Sequence, residues 1–250
     1  MTKWRIIEIE TNSAAMNMAL DESISEAVGK KESLPTIRFY KWKPSAVSVG
    51  YFQSMKDEVD VELCKRTGVD VVRRRTGGGA VYHDSNGELT YSIIAPESFF
   101  PKGITESYHE ICGLIVEALG KLGITAEFKP INDIIAAGKK LSGNAQTRRK
   151  GILLQHGTIL YRLDVATMFS LLKVPKEKIS DKFIADVKQR VTSVTDINPN
   201  ISEQQLREAL VTAFTAGKEF EFGKVTERER AAAEKLVKRK YAADGWNYLR

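Results

Sequence analysis

The sequence predicts an α/β protein of the α+β type, a mixed and largely antiparallel sheet flanked by helices. Three observations carry that expectation. The first two-thirds of the chain holds many short runs with strand-like alternation. Those runs do not alternate regularly with helices, so a doubly wound parallel sheet is not expected. Beyond about Asp164 the apolar spacing turns helical.

Element by element, Trp4–Glu10 (WRIIEIE) reads as a strand. Ser13–Val28 sets Ala15, Met16, Met18, Ala19, Leu20 and Ile24 at helical spacing, with Asn12 or Ser13 as N-cap. Thr36–Trp42 and Ala46–Tyr51 are strands separated by the Lys43-Pro44-Ser45 turn. Val59–Thr67 is a helix ended by Gly68, and Val69–Arg73 is a strand that enters a glycine run. Glu88–Ile94 alternates like a sheet strand, and Ile104–Leu122 is an amphipathic helix closed by Gly123. Strand-like pieces follow at Ala126–Phe128, Ile134–Ala136, Lys140–Gln146 and Ile152–Leu160. Helices are expected at Asp164–Leu172, Ser180–Gln189, Ser202–Ala216 and Thr226–Tyr241. With no repeat, low-complexity tract or linker, residues 1–250 read as one domain: a sheet-rich core to about 163, then a mostly helical tail over 164–250.

The totals exclude some classes. Cys64 and Cys112 make no disulfide framework, which fits a reduced, cytoplasmic protein. No apolar run is long enough to span a bilayer, and Met1–Asn12 has no signal-peptide core. The net charge of +6 suits nucleic acid, anionic ligands or an acidic protein partner. The basic runs Arg73–Arg75, Arg148–Lys150 and Lys238–Lys240 are not interleaved with aromatics, which argues against nucleic acid. Arg148–Lys150 suits docking of an acidic partner instead.

Two stretches concentrate chemistry. The first is RRRTGGGAVYHD, Arg73–Asp84. It is neither a P-loop nor a dinucleotide fingerprint, because Ala80-Val81-Tyr82 follows the glycines and a strand, not a helix, leads away. It reads as a hairpin-type loop along which a ligand can lie against the backbone. Strand alternation sends Arg73 and Arg75 one way and Arg74 the other. The second is INDIIAAGKKLSGNAQTRRKGILLQHGTIL, Ile131–Leu160. Ser142, Gly143 and Ala145 within one strand signal a close neighbour, ligand or backbone. Lys140 heads that strand, where an ammonium can orient a carboxylate and a phosphate as they react. Each residue also has a plain alternative: a solvated turn for Lys140, a hydrogen-bonded core histidine for His156, an Asx turn for Asp133.

Together these stretches resemble the lipoate–protein ligase family, within the group that includes biotin ligases and lipoyl or octanoyl transferases. RRRTGGGAVYHD is similar to its R-R-x-[ST]-G-G-G-A-V-[YF]-H-D motif, GKKLSGNAQ to its G-[RK]-K-[VIL]-S-G-[SN]-A, and HGTIL to its H-G-T-[IL]-L. AMNMALDESI, VSVGYFQ and RVTSVTDI extend the match. The resemblance implies the biotin/lipoate ligase catalytic-domain fold. It implies an ATP-dependent ligase that turns lipoic acid into lipoyl-AMP and passes the lipoyl group to a lysine of a lipoyl carrier domain. Such carriers include E2 subunits of 2-oxoacid dehydrogenases and the glycine cleavage H protein. Arg74, Gly77, Gly78, Gly79, Ala80, Val81 and Tyr82 would bind ATP and lipoyl-AMP, with Asn132 and Asp133 in the same pocket. Asp133 is the candidate for Mg²⁺ and Lys140 the catalytic residue. His83, Ser142, Gly143 and His156 would line the site. The C-terminal accessory domain of longer members is expected to be absent, and a separate accessory protein would supply it.

Two alternatives stand beside that expectation. One is an octanoyl or lipoyl acyltransferase. Related transferases work through a cysteine either before the lysine turn or after the histidine segment, and Cys64 and Cys112 lie in neither place. The other is a basic, non-enzymatic nucleic-acid-binding protein.

Overall fold

The computed structural model describes residues 2–173 and 189–250. Eleven strands are named in chain order: β1 Trp4–Asn12, β2 Thr36–Trp42, β3 Ala46–Val49, β4 Asp70–Arg73, β5 Val81–His83, β6 Glu88–Pro96, β7 Ala126–Lys129, β8 Asp133–Ala136, β9 Lys139–Arg149, β10 Ile152–Leu160 and β11 Phe220–Gly223. Eight form one sheet in the order β11-β1-β2-β6-β10-β9-β8-β7, and three form a second in the order β4-β3-β5. In the large sheet β1 runs parallel to β2 and β11, and the remaining pairs are antiparallel. This is the mixed, mostly antiparallel sheet with flanking helices that the sequence predicts.

Register decides what each face of the large sheet carries. Arg38 lies opposite Ser92 and Tyr40 opposite Thr90, while Ser92 and Ala145 flank His156. Side chains alternate along a strand, so Arg38, Tyr40, Trp42, Thr90, Ser92 and His156 share one face. The opposite face is apolar: Ile37, Phe39, Leu89, Tyr91, Ile93, Leu153 and Ile159 pack with Ile111, Ile115, Leu206 and Phe214. Those partners come from the Ile104–Lys121 and Glu203–Thr215 helices. Phe214 stands edge-on to Phe39 at 5.7 Å. Each fully buried side chain of this size stabilises by about 1.5–3 kcal/mol, so this core is the main source of stability.

The polar face is covered by the Ala14–Gly29 helix, capped by the Ser13 side chain. Its buried side mixes Met18, Ala19, Leu20 and Ile24 with Asn17 and Asp21, three and four residues apart in the helix. One apolar stripe therefore carries two polar groups toward Arg38 and His156.

Two expectations need correction. The glycine-rich segment is not a hairpin, because β3 lies between β4 and β5, parallel to the first and antiparallel to the second. Turn chemistry shows that a chain bends, not which strand it then joins; the short β3 offers both edges. The tail, expected to be mostly helical, also carries one strand. Phe220–Gly223 adds parallel to the edge of β1, a pairing that four mostly exposed residues do not announce. The helix expected over Thr226–Tyr241 ends at Leu236 and widens into a π-helical turn, Val237–Tyr241. The helix expected at Ser180–Gln189 lies outside the described residues except for its last position.

A buried ion pair fastens the tail to the sheet. Arg5 donates from Nη2 to Glu229 Oε1 at 2.6 Å and from Nη1 to Oε2 at 2.8 Å. Removing one partner of such a pair strands the other charge away from water. Glu229→Ala is expected to lower unfolding stability by about 3 kcal/mol, measured by urea denaturation; a change within experimental error would show that the docking does not depend on this pair.

Candidate active site

Between the two sheets lies a cavity of about 160 Å³. Met18, Tyr40, Trp42, Ala80 and Val81 give it an apolar wall, and Ser48, Arg74, His83, Asn132, Lys140 and His156 give it polar edges. The pairing of an apolar wall with a few convergent polar groups is that of a small-molecule site.

The three arginines separate as alternation requires. Arg73 turns away and binds the carbonyls of Gly50, Tyr51, Gln53, Trp246 and Asn247, fastening the last residues of the chain. Arg75 points toward Glu22 at 3.8 Å. Arg74 faces the cavity. Its Nη2 donates to the carbonyls of Gly77 at 2.8 Å and Gly79 at 2.7 Å, and its Nη1 donates to Ser48 Oγ at 3.1 Å. Burial pushes its pKa down to about 10, which leaves it charged at neutral pH. Of the three glycines only Gly78 needs its lack of a side chain, with φ +97° and a would-be Cβ 2.9 Å from Arg74 Nη2. Gly50 is as demanding: a Cβ there would sit 2.0 Å from the Gly78 carbonyl. The loop is thus seated on β3 and clamped by Arg74.

Two histidines stand in matching relays. His83 Nδ1 meets Glu88 Oε1 at 2.9 Å and its Nε2 meets Ser48 Oγ at 2.8 Å. His156 Nδ1 meets Asp21 Oδ2 at 3.3 Å and its Nε2 meets Thr76 Oγ1 at 2.8 Å. In a neutral ring whose Nδ1–H donates to the carboxylate, Nε2 accepts from the hydroxyl. Burial lowers the pKa of His156 despite the opposing bond to Asp21, and holds the ring neutral.

Lys140 lines the cavity and pairs with Asp133 at 2.6 Å across β8 and β9. Behind them Asn144 donates to the Asn132 carbonyl at 2.9 Å and accepts from Tyr91 Oη at 2.8 Å. Of the residues expected from sequence, Arg74, Gly78, Gly79, Ala80, Val81, His83, Asn132, Lys140, Gly143 and His156 meet at the cavity. Gly77, Tyr82, Asp133 and Ser142 do not line it. Tyr82 alternates away from Val81 and His83 and packs on the apolar cluster of Val47 and Met55. Ser142 is fully buried beside Asn144. The Asp133 carboxylate is held by an ammonium, and among the described residues no three His, Cys, Asp or Glu side chains converge.

Sequence reasoning missed Asp21, Trp42, Ser48, Thr76 and Glu88. The available signal was a polar residue breaking an apolar pattern: Asp21 on the inner stripe of its helix, Ser48 between Val47 and Val49. Arg148, expected as a docking charge, binds the carbonyls of Pro101 and Lys102. Both cysteines are buried, and burial raises Cys64 to about 11 and Cys112 to about 12. No helix among the described residues is long and apolar enough to cross a membrane.

Residues 13–215 match the lipoyl protein ligase A/B catalytic domain. The chain belongs to that family. It is 37% identical to an octanoyltransferase LipM of Brevibacillus brevis over 100% of both chains, and 34% identical to that of Bacillus subtilis over 99% of this chain and 98% of the other. Its fold matches a bipartite lipoate protein ligase of Thermoplasma acidophilum with TM-score 0.88 and 32% identity, covering 99% of this chain and 97% of that one. It matches an ATP-bound lipoate-protein ligase A with TM-score 0.84 and 31% identity, covering 99% of each. The expected ATP-dependent ligase is overturned by the full-length curated relatives, which at 33–38% identity are named octanoyltransferases. The shared loop and lysine motifs carried the ligase expectation, and they do not distinguish the two reactions.

Two outcomes follow from the titrating groups. His156 has a native pKa below its ordinary 6.5. Above 6.5 the ring is neutral folded or unfolded and its contribution to stability is whole. As pH falls through 6.5 toward the lowered native value, the unfolded chain takes up a proton that the native state refuses, and stability drops. Urea midpoints are expected to be lower at pH 5.5 than at pH 7.5, with a smaller difference in His156→Gln; an equal difference in the variant would remove His156 as the cause. The buried thiols are expected to resist iodoacetamide at pH 8 until urea unfolds the chain, as peptide mass mapping would show.

Proposed function

We propose that the protein is an acyltransferase that moves an octanoyl group from a thioester donor to a lysine of a lipoyl carrier domain. The full-length likeness to octanoyltransferases carries this reading. Carrier domains enter because the Thermoplasma ligase that shares this fold belongs to a lipoylation system with an E2 lipoyl domain. The cavity supports it physically. Met18, Tyr40, Trp42 and Val81 suit an alkyl chain, and Arg74 and Lys140 stand where its carbonyl end would lie.

Acyl transfer puts negative charge on the carbonyl oxygen in the transition state. Arg74, fixed by four hydrogen-bonded oxygens around its terminal nitrogens, is a preorganised cation for that charge. Lys140 is a second, partly exposed one, oriented by Asp133. The apolar wall excludes water that would hydrolyse the acyl group.

Intact mass of a purified lipoyl carrier domain, incubated with this protein and an octanoyl thioester of acyl carrier protein without ATP, is the direct test. An octanoyl-sized gain on the carrier lysine supports the reading, and no gain overturns it. In the same assay Lys140→Met is expected to lower the turnover rate by about 10²-fold or more with an unchanged circular dichroism spectrum. Wild-type turnover in the variant would take Lys140 out of the mechanism.

A further inference from the structure

Transfer between two carriers needs either direct attack by the acceptor amine or an enzyme group that holds the acyl chain in between. The chain's two thiols are buried, raised in pKa and absent from the cavity wall. A hydroxyl is placed there instead. We propose, on the acyltransferase reading above, that Ser48 is the nucleophile that carries the acyl group, with His83 as its base and Glu88 as the group that orients His83.

The geometry is that of an activated serine. Ser48 Oγ donates to His83 Nε2 at 2.8 Å, and His83 Nδ1 donates to Glu88 Oε1 at 2.9 Å. The ring is held by stacking on Trp42, with centroids 4.0 Å apart and planes 16° off parallel. Trp42 Nε1 donates to Thr90 Oγ1 at 2.8 Å, and the Thr90 hydroxyl donates in turn to Glu88 Oε1. Ser48 and His83 both line the cavity. Arg74 Nη1 donates to Ser48 Oγ at 3.1 Å, which sets the guanidinium charge beside the attacking oxygen. Both relay hydroxyls are buried, Ser48 at 1% and Thr76 at 0% exposure, but Ser48 lines the cavity and Thr76 does not.

The steps balance without a redox partner. Ser48 Oγ attacks the thioester carbonyl, its proton passes to His83 Nε2, the C–S bond breaks and the leaving thiolate takes that proton. The carrier lysine amine then attacks the resulting oxygen ester. A C–N bond forms, the C–O bond to Ser48 breaks, and His83 moves the amine's proton to Ser48 Oγ. The acyl group descends from thioester to ester to amide, and the only by-product is the donor thiol.

The experiment incubates the whole protein with octanoyl-CoA as thioester probe, without carrier domain, followed by acid quench and peptide mass mapping. The expected result is an octanoyl-sized gain on the Ser48 peptide that survives neutral hydroxylamine, which strips thioesters, and that is lost when lipoyl domain is added. Ser48→Ala is expected to lose the adduct and to slow transfer by about 10³-fold or more. Ser48→Cys tests the same position without a cavity, and its adduct should become hydroxylamine-labile. Wild-type transfer rates in folded Ser48→Ala, or an adduct on Ser48→Cys that stays resistant, would overturn the assignment while the acyltransferase reading stands. No transfer by the wild type to the lipoyl domain would sink that reading and Ser48 with it.

Discussion

The carboxylate of Asp21 is the point on which the polar half of the molecule turns. Oδ1 accepts from Arg38 Nη1 and from Ser92 Oγ, both at 2.9 Å, and Oδ2 accepts from His156 at 3.3 Å and Tyr40 at 3.4 Å. One side chain of the first helix therefore holds β2, β6 and β10 together. Burial alone would raise its pKa; the bond from His156, the charge of Arg38 and the bond from Ser92 outweigh it, and the group stays ionised. A buried ion pair is a costly way to hold a helix on a sheet, because desolvation offsets most of the attraction. Its effect is directional. An apolar contact would tolerate a helix rotated by a fraction of a turn, whereas Asp21 accepts only the arrangement in which four donors converge.

That constraint reaches the cavity. His156 is oriented by Asp21 on one nitrogen and meets Thr76 with the other, and Thr76 also takes a bond from Arg74 Nε at 3.1 Å. Arg74 then clamps the glycine loop through two carbonyls and touches Ser48. A continuous set of hydrogen bonds thus runs from the first helix through the sheet to the loop that roofs the cavity. The apolar face beneath, built around Phe39, Tyr91 and Phe214, supplies the free energy that keeps these charged groups in place.

The legible part of the fold was the part set by local pattern. Thr36–Trp42 and Ile152–Leu160 are read to the residue, because each is a short run rich in β-branched, aromatic and apolar residues. The illegible part depended on partners far away in sequence. Phe220–Gly223 is a strand only because β1 has a free edge. The glycine loop crosses over β3 because Gly50 and Gly78 approach closely, and neither residue shows this alone. The site divides in the same way. Arg74 and Lys140 were legible from composition in a short stretch; Ser48, Asp21 and Glu88 were not, since each is a single polar residue whose meaning comes from a histidine 35, 135 or 5 positions distant.

The reaction was harder to read than the family for a physical reason. The residues that make the family recognisable, Arg73–Asp84 and Lys140–Gly143, encode backbone geometry. Arg73 fastens the chain end, Arg74 and Gly78 shape the loop, and a Cβ on Gly143 would come within 3.0 Å of the Lys140 side chain. Those requirements of the backbone are independent of which reaction the cavity serves. What separates one acyl transfer from another is which group attacks and which leaves, and that is decided by individual atoms such as Ser48 Oγ. A motif built to hold a loop in place is silent on that point, whereas the 2.8 Å contact between Ser48 and His83 speaks to it directly.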